Sequence, residues 1–280
     1  MERPLILPFL ALLPLLAQGC LAQGDKEPLT VVLTFDYEDL SHEEGGRNID
    51  ALLQVLEKRN LSVAFFVLGA TAEKYPEKVR RIHEKGHILG MHTYYHNLPL
   101  FTREDAERVG RVYGVDGEAE WRKSFKTPEA FLRDLMDTRA AIERATGKNG
   151  TVAAFRAPSM VVNWVSDEVY YRVLREAGVR VDSSVYQDFE NPRAYYVVDG
   201  VIEVPLVTFE SRLKNPKKAL DLAEECSKKG VPFHFVAHPQ ALSPENLREF
   251  EDFLDLLEAR YDVTYLRLDE VYGGENKNIY

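Results

Sequence analysis

The chain predicts an α/β fold, a single distorted (β/α) barrel of about seven parallel strands. Three observations lead there: short β-branched and aromatic runs alternate with longer amphipathic stretches, the notable polar residues follow the ends of those runs, and 280 residues suit one large α/β domain. The candidate strands are 29–35, 63–68, 87–91, 152–155, 179–182, 201–207 and 232–237. Helical patterns lie between them at 48–58, 72–85, 128–145, 166–177, 217–229 and 244–259. Gly147 and Gly230 follow two of these, where a left-handed C-cap costs little. Strand–helix units in this order give a parallel sheet with right-handed crossovers, and such a barrel gathers its function at the C-terminal ends of its strands. Asp36 and Glu38 follow the first strand, His92 the third, Arg156 the fourth, Asp182 the fifth and His238 the seventh. The stretch 98–127 is long and polar and carries Tyr113 and Trp121. It reads either as an insertion folding over the site or as a surface excursion.

Composition narrows the partners. Arg3 followed by a leucine-rich run over 5–16 is too short for a membrane span of about 20 residues and reads as an export signal. The expected division is a leader over 1–24 and a catalytic domain over 25–280. Cleavage falls either before Cys20, in the manner of a lipoprotein, or after it at a small-residue site. The protein is then extracellular or held at the cell surface, touching membrane through its leader or a lipid on Cys20. Once the leader is removed Cys226 stands alone, so the domain has no internal disulfide and Cys226 is a packing or surface thiol. A net charge of −10 argues against nucleic acid or an acidic polymer as partner. A neutral polymer or a small neutral substrate fits better, and the oligomeric state is not readable.

The chemistry lies in Phe35-Asp36-Tyr37-Glu38 and His92-Thr93-Tyr94-Tyr95-His96. Two imidazoles and two carboxylates are the composition of a catalytic divalent-metal site, in which zinc takes three protein ligands and leaves a fourth position for water. His92, His96 and one of Asp36 or Glu38 fill the three protein positions. Residues four apart on a helical turn share a face, which is the spacing of the two histidines. Asp36 and Glu38 leave the strand on similar sides, so that one binds metal and the other stays free as a base. His234 and His238 form a second HxxxH, but a strand separates residues four apart by roughly 13 Å, so His234 reads as a core histidine.

The order of these motifs resembles the polysaccharide deacetylase family, also called the NodB-homology domain or carbohydrate esterase family 4, from residue 29 to the C-terminus. Thr34-Phe35-Asp36 resembles the first motif, which implies Asp36 as catalytic base. Tyr37 stands where many members carry the metal-binding acid, and Glu38 occupies the position that other branches use for it. The stretch from His92 to His96 is similar to the second motif, implying both histidines as metal ligands. Phe155-Arg156-Ala157-Pro158 resembles the third, whose arginine orients the base, although Ser159-Met160 replace the usual approach to a glycine. Asp182-Ser183-Ser184 resembles the fourth, whose aspartate supports the catalytic histidine, and Phe235-Val236-Ala237-His238-Pro239 the fifth, implying His238 as general acid. Tyr95 and Pro158, inside the second and third motifs, are expected to touch substrate.

The resemblance implies a metal-dependent hydrolase that removes N-acetyl or O-acetyl groups from a glycan bearing acetamido groups. Zinc leads as the ion, with cobalt, nickel or iron as alternatives for two histidines and a carboxylate. Two other readings stand beside it. The same fold acts on a non-sugar amide or cyclic imide, in which case 98–127 closes a small pocket, whereas an open groove exposing aromatic rings favours a polymer. An exported glycan-binding protein without catalysis is the third, motivated by Tyr37 and Met160.

Overall fold

Alternation along the first strand decides which side chains meet. The computed structural model describes residues 26–39, 44–160 and 167–273. Strand β1 (Pro28–Tyr37) is buried almost throughout. Leu29, Val31, Leu33, Phe35 and Tyr37 join the main apolar core, while Val32 belongs to a second, smaller cluster, as expected where successive side chains point to opposite faces. The same parity runs through β2 (Ala64–Val67), where Phe65 and Val67 pack with the first group and Ala64 and Phe66 with the second.

The remaining strands are β3 (Ile88–Met91), β4 (Ala154–Phe155), β5 (Val181–Asp182), β6 (Tyr196–Val198), β7 (Val201–Glu203), β8 (Thr208–Phe209), β9 (Phe233–Ala237) and β10 (Asp262–Leu266). They form one sheet in the order β6-β7-β5-β4-β3-β2-β1-β9-β8, with β10 paired to the first half of β1. Every pairing is parallel except that of β6 with β7. The segment between β7 and β8 draws the two ends of the sheet together. Leu206 N donates to Val185 O at 2.9 Å, Gln187 N to Leu206 O at 2.8 Å, and Val207 N to His234 O at 2.9 Å. The result is the distorted, incompletely closed barrel that the strand–helix alternation predicts.

The helices are α1 (Glu44–Lys58), α2 (Gly69–Lys74), α3 (Pro76–Glu84), α4 (Arg103–Tyr113), α5 (Gly117–Arg122), α6 (Pro128–Thr146), α7 (Asp167–Glu176), α8 (Pro216–Lys229) and α9 (Pro244–Arg260). Their apolar stripes, such as Phe131, Leu135 and Ile142 of α6, enter the main core, which therefore lies between sheet and helices. The second cluster lies on the other face, inside the barrel.

Several elements differ from the sequence reading. The pattern over 72–85 is two helices, because Pro76 lacks the N–H that would continue the first and starts the second at its N1 position. The run 201–207 is not one strand: only Val201–Glu203 pairs, as β7 next to the β6 edge, and the chain then crosses to enter the opposite edge at Thr208 as β8. The stretch 98–127 folds as α4, capped by Thr102, and α5, capped by Asp116, and is closed by a bridge between Leu98 and Ser124. Strands β6, β8 and β10 are short or half-exposed and carry no continuous apolar run for a sequence reading to catch.

Cys226 is buried in α8, and burial pushes its thiol up to about 12. No helix among the described residues is long and apolar enough to cross a membrane. The expected leader, with Cys20, lies outside the described residues.

Candidate active site at the strand ends

The inward-facing parity of β1 continues past its end, so Thr34, Asp36 and Glu38 rise in sequence toward one mouth of the barrel. Tyr37 alternates to the helix side, where its ring stacks on Tyr75 at 6.5 Å. An acid at that position would point away from the site, which is the physical reason the second carboxylate is at 38.

Arg156, after β4, is fully buried and makes five polar contacts inside the barrel. Its Nη1 donates to Asp36 Oδ1 and to Thr34 Oγ1, each at 2.8 Å. Its Nε donates to Ser183 O at 2.8 Å, and its Nη2 to Ser183 Oγ at 2.9 Å and to His234 Nε2 at 3.2 Å. The guanidinium lies 4.2 Å over the ring of Phe66. Gly90 makes room for that ring, since a Cβ there would meet Phe66 Cδ1 at 2.6 Å. His234 is a core histidine, as its place in a strand predicts. Its Nδ1 donates to Pro205 O at 3.1 Å, and burial followed by the charge of Arg156 keeps it neutral, well below the usual histidine range.

His92 and His96 follow β3 in a loop rather than on the helical turn that their spacing suggested. Thr93 and His96 take left-handed backbone angles, φ 60° and 62°, which cost a non-glycine residue about 1–3 kcal/mol each. The loop is held against that strain from two sides. Gly69 N and Ala70 N of α2 donate to Thr93 O and Tyr94 O, each at 3.1 Å, and Tyr94 N donates to Asp134 Oδ1 of α6 at 2.9 Å.

Glu38, His92 and His96 present ligand atoms all within 4.8 Å of one another, and so do Asp36, Glu38 and His238. His92 Nδ1 lies 2.8 Å from Arg156 O, a carbonyl that only accepts, so Nδ1 carries the proton. In a neutral ring Nε2 is then a lone pair facing the Glu38 carboxylate at 2.7 Å, with His96 Nε2 at 3.2 Å from the same oxygen. A lone pair facing a carboxylate needs a proton or a metal cation between them, and Glu38, His92 and His96 are the donor set of a divalent metal site, with an outer partner already on His92 Nδ1. With both rings protonated instead, burial still opposes ionisation of Glu38, but hydrogen bonds from His92 and His96 and their charge outweigh it and hold the carboxyl well below its usual range.

His238, after β9, is half-buried, with Nε2 3.8 Å from Glu38 Oε1. Its Nδ1 donates to Glu210 Oε1 at 2.9 Å. Burial disfavours its charged form, yet Glu210 first, then Asp36 and Glu38, push it up to about 9. Asp182 lies elsewhere, and here the expectation is corrected. In β5 Val181 faces inward, so Asp182 faces the helices, where Tyr170 of α7 donates to it at 2.9 Å and Ser184 Oγ at 2.6 Å. Burial first, and then the adjacent Glu203, raise its carboxyl well above the usual range. Of the two residues expected at substrate, Tyr95 is 64% exposed, whereas Pro158 is buried.

The sequence reading missed Thr34, Ser183 and Glu210 as contributors. Thr34 and Ser183 share the inward parity of Asp36 and Val181 and were legible by it. Glu210 follows a strand end like the others, but β8 (Thr208–Phe209) lies just past the assumed strand 201–207 and is too short to show in the sequence.

A curved parallel sheet with acid, base and metal-type donors at one mouth defines a class of barrel hydrolases. Within it, the chain belongs to the polysaccharide deacetylase family, whose model matches residues 23–181. An 88-residue stretch is 42% identical to a peptidoglycan-N-acetylglucosamine deacetylase of Bacillus cereus, covering 30% of this chain and 29% of that one. A 110-residue stretch is 28% identical to a peptidoglycan-N-acetylmuramic acid deacetylase of Bacillus subtilis, covering 39% of each. The chain thus matches well under half the length of these curated relatives. Among solved structures, a candidate polysaccharide deacetylase from Mycobacterium smegmatis superposes with a TM-score of 0.61 at 18% identity, covering 89% of this chain and 90% of that one. PuuE allantoinase gives 0.62 at 13% identity, covering 92% and 93%. At these identities the two structures share the fold.

Proposed function

We propose that the protein removes N-acetyl, or O-acetyl, groups from a glycan by attack of water on the acyl carbon. The observation that carries this reading is the convergence of Asp36, held by Arg156, and His238 on the Glu38–His92–His96 cluster. Glu38, His92 and His96 would hold a divalent cation, zinc first and cobalt, nickel or iron after it. Such an ion, when bound, lowers the pKa of water toward roughly 7 and polarises the acyl oxygen.

Asp36 takes the proton of the attacking water, since Arg156 fixes the carboxylate in one orientation and leaves its second oxygen turned to the cluster. His238 then delivers a proton to the departing amine, without which an amide nitrogen is too poor a leaving group. Tyr94, Tyr95, Phe125, Arg133 and Asp134 line a groove of about 500 Å³ beside the metal-ligand loop. An exposed ring, Tyr95, with the half-buried Tyr94 and Phe125 beside charged side chains suits a sugar ring, which supports a polymeric substrate over a small imide. The relatives named for peptidoglycan, together with the leader expected over 1–24, support action outside the cell or at its surface.

The test compares acetate release from N-acetylglucosamine oligomers and peptidoglycan with hydrolysis of a small cyclic imide. Acetate release alone is expected. Imide hydrolysis without acetate release would overturn the glycan reading.

A further inference from the structure

Two acids lie side by side on the helix face of the sheet, and among the described residues no cation pairs with either. Asp182 of β5 stands in register with Glu203 of β7, and both are 0% exposed. Glu203 shares the parity of Val201, which joins the main core, so it points to α7 as Asp182 does. Glu203 Oε1 accepts from Ser184 N at 2.9 Å and Val185 N at 3.2 Å, and its Oε2 from the Tyr171 hydroxyl at 2.9 Å. Asp182 accepts from two hydroxyls, those of Tyr170 and Ser184. The two side chains also hydrogen-bond to each other, which carboxylates do only with a proton between them. The backbone N–H donors on Glu203 favour the charge there and leave the proton on Asp182. Tyr170, Tyr171 and, on β6, Tyr196 are the other titratable groups against the pair. Ser184 links this pair to Arg156. Its Oγ donates to Asp182 and accepts from Ala157 N at 2.8 Å, while Ser183 O and Oγ hold the Arg156 guanidinium on the opposite face. Apolar side chains of similar size would stabilise the sheet as well or better, so the acids are explained by what they hold.

We propose that Glu203 and Asp182, sharing one proton, are the positioning residues for Arg156, acting through Ser184 and Ser183. Glu203 fixes the backbone where the chain turns out of β5, and Asp182 fixes the hydroxyl that holds Ala157. The Ser183 carbonyl between them is thereby set to receive Arg156 Nε–H. The role of Asp36, the acid that Arg156 holds, comes from the deacetylase reading; the rest stands without it.

The experiment compares zinc-loaded wild type, Asp182→Asn, Glu203→Gln and Glu203→Ala. Infrared spectra are taken at about pH 9, clear of Asp134, whose carboxyl burial pushes up to about 7. Wild type should show the carbonyl band of one protonated carboxyl, and both Asp182→Asn and Glu203→Gln should lose it, because an amide N–H replaces the shared proton. A wild type without the band, or a band kept in Asp182→Asn, would overturn the shared proton. The two amide variants should release acetate from N-acetylglucosamine oligomers within about twofold of wild type, whereas Glu203→Ala should lower kcat roughly tenfold at unchanged KM and zinc content. Should Glu203→Ala fail to fold, Ser184→Ala cuts the same link and takes its place. Solvent exchange of Arg156 Nε–H reads the position without turnover: it should quicken roughly tenfold in that variant and stay as in wild type in Asp182→Asn. Unchanged kcat or unchanged exchange in the folded variant would show that the acids only brace the sheet and would overturn the proposal. If wild type releases no acetate, the deacetylase reading fails while the band and the exchange still decide the pair.

Discussion

Arg156 Nη1 and Asp36 Oδ1 are 2.8 Å apart, and neither side chain reaches solvent. Each charge is compensated by the other, and the remaining guanidinium protons go to Thr34, Ser183 and His234. Removing one partner of a buried ion pair leaves the other uncompensated, at a cost of roughly 3–5 kcal/mol. Arg156→Ala is therefore expected to lower the urea midpoint by that amount of stability at constant slope. Arg156→Lys keeps the charge but lacks the planar fork, so it should lose activity more than stability. A loss under about 1 kcal/mol in Arg156→Ala would show that water reaches the site.

The proposed mechanism divides the work of the two carboxylates at the first strand end. Glu38→Ala and His92→Ala should each weaken zinc binding by more than the roughly 10–100-fold that outer partners contribute. Asp36→Asn should keep its zinc and lose turnover. Equilibrium dialysis with metal analysis checks this, and equal zinc loss in Asp36→Asn and Glu38→Ala would remove the division.

Gly69 has no room for a side chain, because a Cβ would lie 2.4 Å from Tyr94 Cδ2 and 2.8 Å from its Cγ. Those atoms sit near the backbone of the His92–His96 loop and cannot swing clear. Gly69→Ala should displace that loop, lowering zinc affinity at least tenfold while costing only about 1–3 kcal/mol of stability. Unchanged zinc affinity would mean that the loop is not seated by α2.

Acid should unfold the protein partly through buried neutral histidines. Val63 N donates to His87 Nδ1 at 3.3 Å, and burial first, then Lys85, push this imidazole down to about 4. The unfolded chain takes up the proton near pH 6.5, before the folded one does. Stability from neutral His87 is thus complete above about 6.5 and is lost as pH falls toward about 4, by about 3 kcal/mol at most. His87→Asn keeps an acceptor for Val63 without titrating, so its unfolding free energy should fall less steeply over that window. Parallel curves for the two proteins would contradict the assignment.

Much of this arrangement is legible from period alone. Parity along β1 separates Thr34 and Asp36 from Phe35 and Tyr37, and the parallel sheet brings the ends of β1, β3, β4 and β9 to one mouth. What escaped was set by long-range pairing. Nothing local in Val204-Pro205-Leu206-Val207 says that the chain crosses from one sheet edge to the other, yet that crossing brings Glu210 to His238. Parity applied to Val181-Asp182 would have turned Asp182 toward α7, but a short motif drew attention to residue type rather than to face. The loop geometry at His96 depends on hydrogen bonds from α2 and α6, which no spacing of histidines encodes.

The central claim is that acetate release depends on the Glu38–His92–His96 cluster loaded with metal and on Asp36 beside it. The most direct measurement follows acetate freed from N-acetylglucosamine oligomers as zinc is returned to the metal-stripped protein, alongside Asp36→Asn treated identically. Release rising in proportion to bound zinc in wild type, with none from zinc-loaded Asp36→Asn, is the expected result. Acetate release from the stripped protein, or equal release from Asp36→Asn, would contradict the account.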